Sequence, residues 1–328
     1  MLARIAYQVY WIGRYVARAE FTARMLDSVF QASLQAQGGG SRQPLSWDAV
    51  MAVMGADSEH SRPVPASDAV RALTLDPESP ASVTACVDRA REGARTVRDV
   101  VSAEMWEALN TLFLELNDSD LAAALRTGPY SVYSFVRERC ALWWGLADET
   151  MLRDGSYFFL TAGRHSESAE MIVRMLRVAL SGRESGSDPS TGGDSALALL
   201  HAVGGLEAFR RSVPTPVGPE PVAEFLTFET DYPHSVAASI VALEGALDEI
   251  GTSGRGTAPV LRLARLRAEL EFHRGLERGP ASGQDDSPGG RSMRSLLEHI
   301  QEELAAVDEE VERRYFTGEA PQRQVVSA

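Results

Sequence analysis

Apolar residues recur along the N-terminal part of the chain at Ile5, Val9, Ile12, Val16, Ala19, Ala23, Leu26 and Phe30, in alternating steps of four and three. Steps of that size return a side chain to one face of a helix with about 3.6 residues per turn. The spacing predicts one long amphipathic helix ending near Gln37, at the stop Gly38-Gly39-Gly40. Helical patterns continue over 46–55, 80–118, 130–152, 155–181, 194–210, 233–250, 257–277 and 291–316. Pro/Gly/Ser-rich breaks separate them at 41–44, 181–193, 213–221, 251–256 and 279–292, of which the stretches SGSDPSTGG (185–193) and GQDDSPGGRS (283–292) read as flexible acidic linkers. Alternating β-branched runs flanked by hairpin turns are missing, so the expected fold is all-α.

The pattern also repeats. GRYVARAEFTARML at 13–26 aligns without gaps on GRHSESAEMIVRML at 163–176. LTLDPESPASVTACVD at 73–88 aligns on LTFETDYPHSVAASIV at 226–241, and AVMG at 52–55 on HAVG at 201–204. Three matches in one order predict a tandem duplication: a helical half over 1–154, a second over 155–318, packed into one body, and a disordered tail over 319–328. Each half is expected to hold a long charged helix, a short helix, a helix with proline in its first turn (Pro80, Pro233) and a terminal pair.

Composition narrows the chemistry. All 32 basic residues are arginine, since the 328-residue chain has no lysine. A Walker-A loop, a protein-kinase nucleotide site and Schiff-base catalysis each depend on a lysine amine and are excluded. A net charge of -14 has the wrong sign for broad capture of nucleic acid or anionic membrane. The arginines at 4, 14 and 18 interrupt any signal-peptide core, and no stretch has the roughly 18 charge-free apolar residues of a membrane span. Cys86 and Cys140, in apolar helical surroundings, suit reduced core thiols, and the expected location is the cytoplasm.

The repeated segments carry charge: Arg14, Glu20 and Arg24 in the first, Arg164, Glu170 and Arg174 in the second, with Arg18 answered by Ser168. Tyr7, Tyr10, Trp11 and Phe21 share the far side of the first helix with Arg14 and Arg18, which predicts a central helix whose charges are held between neighbours. Glu20–Arg24 and Glu170–Arg174 pair at i,i+4, and a pseudo-twofold arrangement would add Glu20–Arg174 and Glu170–Arg24. Two readings stand. One is a buried ion-pair network that sets the register of the halves; the other is an arginine-lined pocket for a carboxylate or phosphate, with a glutamate as base or orienter.

A second cluster at Glu92, Arg95, Arg98, Asp99, Glu104, Glu107 and Asn110 reads as a solvated helix face with an Arg95–Asp99 pair, and Glu104, Trp106 and Asn110 are candidates for a polar pocket. The run from Glu298 to Glu312 reads as a solvated terminal helix. None of the six histidines follows a glutamate by three residues, as a di-iron bundle requires, and ligand spacing for zinc is absent, so neither metal nor cofactor is expected. No G-x-S-x-G elbow occurs.

MLARIAYQVYWIGRYVARAEFTARMLD, AREGARTVRDVVSAEMWEALN, the second copy GRHSESAEMIVRML, GGLEAFRR and VAEFLTFETDYPHSVAASIVAL, in that order, resemble the alpha-E domain proteins from Met1 to about Phe316. The likeness departs at Ser168, where the family usually repeats arginine, and at His165-Ser166-Glu167. The resemblance implies an all-helical accessory encoded beside, or fused to, a circularly permuted ATP-grasp amide ligase and a transglutaminase-like peptidase. The resulting expectation is a non-catalytic interaction subunit that binds one of these partners or a second copy of itself. A carboxylate- or peptide-binding protein or enzyme using the duplicated Arg/Glu set is the alternative.

Overall fold

The structure, a computed structural model, describes residues 2–39, 45–56, 63–118, 120–181, 189–251, 256–277 and 292–317. Within them the chain is all-α: fourteen helices and a terminal π-helical turn, with no strand among the described residues. The expected tail and most of the break at 279–292 lie outside the described residues.

The stripe that begins at Ile5 becomes α1 (Ala3–Gly39), and 155–181 becomes α8 (Gly155–Ser181). Val9, Ile12, Val16, Ala19, Ala23 and Leu26 are buried as the periodicity requires, and so are Tyr10 and Phe21 from the other side. α1 is therefore enclosed around most of its circumference. It crosses α8 at Gly13 and Gly163, where a Cβ on Gly13 would collide with the Leu160 carbonyl and one on Gly163 with the Tyr10 carbonyl. Only glycine permits backbones to approach this closely.

Two helix groups assemble on this crossing. α4 (Val83–Thr96) and α7 (Pro129–Thr150) pack on α1, with α5 (Ala103–Leu116) against both. α12 (Val236–Ile250) and α14 (Met293–Val311) pack on α8, with α13 (Ala258–Glu277) against both. The short helices cross over: α2 (Trp47–Met54) packs on α8, and α9 (Pro189–Val203) on α1. The turn Glu312–Phe316 returns to α1 and sets Phe316 against Tyr7 and Tyr10.

Local chemistry revises several boundaries. The pattern over 80–118 is two helices, because Ser102 caps a new one by accepting from the Met105 N–H at 3.2 Å. Pro80 and Pro233 lie in turns ahead of α4 and α12, outside the first helical turn. The caps are Ser82 and Ser235, which accept from the Ala85 and Ala238 N–H groups at 3.1 and 3.0 Å. α9 starts at Pro189, inside the expected break at 181–193. Gly204 and Gly205 then divide the pattern over 194–210 into α9 and α10 (Leu206–Ser212). Three short helices, α3 (Ala66–Thr74), α6 (Leu121–Thr127) and α11 (Pro219–Phe228), are additional to the periodic reading.

Candidate functional site

The α1–α8 crossing brings most of the repeated charges into one buried layer. Arg14, one residue past the crossing glycine, meets three carboxylates. Its Nε donates to Glu167 Oε2 at 2.9 Å, its Nη2 to Glu170 Oε1 at 2.6 Å and its Nη1 to Asp308. Arg18, one turn later, grips the same Glu167 with both Nε and Nη2, at 2.6 and 2.9 Å. Tyr10 and Ser166 donate to Asp308 Oδ1 at 2.6 and 2.9 Å. Glu167 is fully buried, so its charge is supported by guanidinium forks in place of water.

The i,i+4 pairs form as expected: Arg24 Nη2 to Glu20 at 2.8 Å, and Arg174 Nη2 to Glu170 at 3.1 Å. The additional pairs Glu20–Arg174 and Glu170–Arg24 do not form. Each arginine runs instead to the end of a short helix. A Cβ on Gly204, after α9, would meet Arg24 Nη1 at 3.4 Å, and one on Gly55, after α2, would meet Arg174 Nη1 at 3.7 Å. Both glycines are left-handed, with φ of 70° and 68°, and a cation beside a helix C-terminus is favourably placed in its dipole.

Glu167 and Asp308 are the residues that the sequence reading missed. Glu167 falls opposite Ala17 in the aligned repeats, and its i±4 neighbours Gly163 and Met171 supply no cation. Arg164, three residues before it, offers a local partner but turns to Trp144 instead, so no pairing along the helix marked Glu167 as part of the layer. Asp308 sits in the run read as solvated. That reading also fails for Glu303, which is buried and takes Arg262 and Arg265 at 2.8 and 2.7 Å.

Protonation follows the pairing. Burial alone would lower the Arg14 pKa, but Glu167, Glu170 and Asp308 together hold it well above the ordinary value. Arg18 is likewise raised by Glu167 against burial. Burial works against ionised Glu167, yet Arg18 and Arg14 bring it down to about 2. Glu170 moves the other way: burial raises it, resisted by Arg14 and reinforced by Glu167 and Asp308.

Arg164 differs from its counterpart Arg14. It is half-buried, with its guanidinium 4.3 Å from the centre of the Trp144 ring, and its side chain makes no hydrogen bond or ion pair among the described residues. Glu104 and Asn110 do not join this layer. Glu104 is exposed in the first turn of α5, while half-buried Asn110 accepts from Arg91 Nε at 2.9 Å. Trp106 carries Arg98 at 4.6 Å and Arg91 at 5.4 Å. Arg95 pairs with Glu92 at 2.8 Å, which corrects the expected Arg95–Asp99 pair. Glu92, Arg91, Arg95 and Asn110 thus form a network of ion pairs and hydrogen bonds along this face.

Both cysteines are buried free thiols, and burial pushes Cys86 up to about 12. Among the described residues no group of three or more His, Cys, Asp or Glu side chains is placed to hold a metal ion. No described helix is long and apolar enough to cross a membrane.

Uncharacterized proteins of Mycobacterium bovis and of Mycobacterium tuberculosis are each 25% identical to this chain over 286 residues. The match covers 81% of this chain and 32% of theirs, so it spans about a third of the relatives' length. No solved structure matches. Residues 1–316 match the family Alpha-E, described as a predicted alpha-helical domain with a conserved ER motif. With nearly its whole length matched and every described element helical, the chain belongs to the Alpha-E family.

Proposed function

We propose that this protein is a cytoplasmic, non-catalytic interaction subunit of an amide-ligase system, acting with a circularly permuted ATP-grasp ligase or a transglutaminase-like peptidase. The observation that carries the reading is the length of the relatives: in them the matching region is about a third of a longer chain, an arrangement that suits a unit working on attached or neighbouring domains. The charged interior is consistent with it. Arg14, Arg18, Arg24 and Arg174 are all held by carboxylates of the same chain, which favours structural over chemical use of this layer. The reading also suits a chain whose cations are all guanidinium, because the ligase would supply the nucleotide-binding lysine.

The test is co-purification with the ligase and the peptidase encoded nearest to it, with ligase turnover measured in the presence and absence of the chain. A complex at micromolar concentration with altered turnover is expected. No association with either partner overturns the proposal. The second reading, a carboxylate-binding protein, is favoured by one observation: the Arg164 side chain, alone among the six repeated Arg/Glu positions, makes no hydrogen bond or ion pair among the described residues.

A further inference from the structure

α1 and α8 present an arginine to each other on either side of the glycine crossing. The Arg164 backbone N lies 3.1 Å from a Cβ placed on Gly13, and the Arg14 backbone N lies 3.2 Å from one placed on Gly163. The two side chains nevertheless enter different surroundings. Arg14 is bonded to Glu167, three residues past Arg164 on the opposite helix. The residue three past Arg14 is Ala17, so the reciprocal carboxylate is missing. Arg18, the second grip on Glu167, is answered by Ser168, whose hydroxyl turns back to the Arg164 carbonyl at 2.8 Å. Where Asp308 meets Arg14, the Trp144 ring meets Arg164.

This difference leaves charge and donors in excess. Around Arg14, the cations Arg14, Arg18 and Arg174 face the acids Glu167, Glu170 and Asp308. Around Arg164, the acid that acts on it most is Glu20, whose Oε1 is already held by Arg24. Asp148 is the next acid in reach, and it is engaged by the Tyr157 hydroxyl at 2.8 Å and by Arg153 at 3.6 Å. Two sealed polar atoms of the same neighbourhood, Trp144 Nε1 and His234 Nδ1, have no hydrogen-bond partner among the described residues. Burial lowers the Arg164 pKa, with Glu20, Asp148 and Tyr157 pulling against it, whereas Arg14 and Arg18 are raised. A guanidinium in partial burial without a bonded anion is an unmet demand, and Arg164 is half-buried, not sealed from solvent.

We propose that Arg164, stacked on Trp144 beside Glu20 and His234, binds one external carboxylate, that of a free amino acid or a peptide C-terminus. The ligand class comes from within the molecule, since the same register on the other helix holds carboxylates and a guanidinium fork matches their two oxygens. The aromatic face beneath the guanidinium fixes its plane and shields it from water on one side. The proposal deepens the second functional reading and is independent of partner docking.

The isolated chain is titrated with N-acetylglycine, glycine, triglycine and inorganic phosphate, following the Trp144 indole N–H by NMR after assignment with Trp144→Phe. Saturable shifts with the carboxylates, and at least about tenfold weaker binding in Arg164→Gln, are expected for loss of a charge-assisted fork. Preference for triglycine or for glycine supports the site and identifies the source of the carboxylate. Ala17→Glu supplies the missing internal acid, so it should abolish binding and raise the melting temperature. If that variant does not fold, Arg164→Gln still decides, with its fold checked by circular dichroism. Phosphate binding tighter than any carboxylate, no saturable shift up to about 10 mM, or undiminished binding in Arg164→Gln overturns the proposal. Docking to the ligase is measured separately and is unaffected by any of these outcomes.

Discussion

Glu167 is sealed from solvent and bonded by two guanidinium groups, so deleting a partner strands charge in the interior. Arg14→Gln leaves Glu167, Glu170 and Asp308 facing one another with one cation fewer. It should destabilise the chain by about 3–5 kcal/mol, the usual effect of breaking a buried pair from one side. Arg95→Gln removes an exposed pair with Glu92 and should change stability by less than about 1 kcal/mol. Urea unfolding of both variants checks the contrast, and equal effects would mean that the buried layer contributes no more than a surface pair. At this scale legibility depended on sequence distance. Glu20–Arg24 and Glu170–Arg174 were readable because both partners lie on one helix. Arg14–Glu167 and Arg14–Asp308 are separated by 153 and 294 positions, and no local pattern encodes such a meeting.

Helix placement turns on two kinds of glycine. Gly13 and Gly163 lie where a Cβ would strike backbone, which cannot rotate away, so Gly13→Ala or Gly163→Ala must push α1 and α8 apart and disturb the whole ion-pair layer. Each should cost at least about 1–3 kcal/mol, the typical range for overpacking. Gly145, exposed within α7, meets nothing within 4 Å, so Gly145→Ala should stabilise the chain by about 0.5–1 kcal/mol through helix propensity alone. Thermal unfolding of the three variants tests this; a neutral Gly13→Ala would contradict the close crossing. The long helices were legible because their apolar stripes run for many turns. α3 and α6 were missed because nine and seven residues give too few turns to establish a period. α11 was missed because its prolines at 219 and 221 read as a break, although they occupy the helix's first turn. The split between α4 and α5 was hidden by continuous apolar spacing, and the Ser102 cap that marks it is a single residue.

For the molecule as a whole, pH acts through groups buried in unlike states. Burial first, and the Arg164 charge with it, brings His165 down to about 3 from an ordinary 6.5. His234 is brought down to about 4 by burial and by Arg24 and Arg164, against the pull of Glu20. Both are neutral in the fold and charge readily once the chain is open. Between about pH 6.5 and 4 the unfolded state therefore binds more protons, and stability falls as pH falls. Glu167, held at about 2, adds a further loss as pH drops below its ordinary 4.5. Glu170 opposes the histidines: its raised pKa makes the folded state the stronger proton binder above pH 4.5, so its contribution decreases stability as pH rises. A single wild-type curve mixes these signs, whereas a comparison of variants separates them. In a His165→Gln/His234→Gln chain the glutamates remain and only the histidine contribution disappears. Its melting temperature should fall less between pH 7 and pH 4.5 than that of the wild type. Parallel curves for the two proteins would show that the histidines charge as easily in the fold as outside it, against their burial beside Arg164.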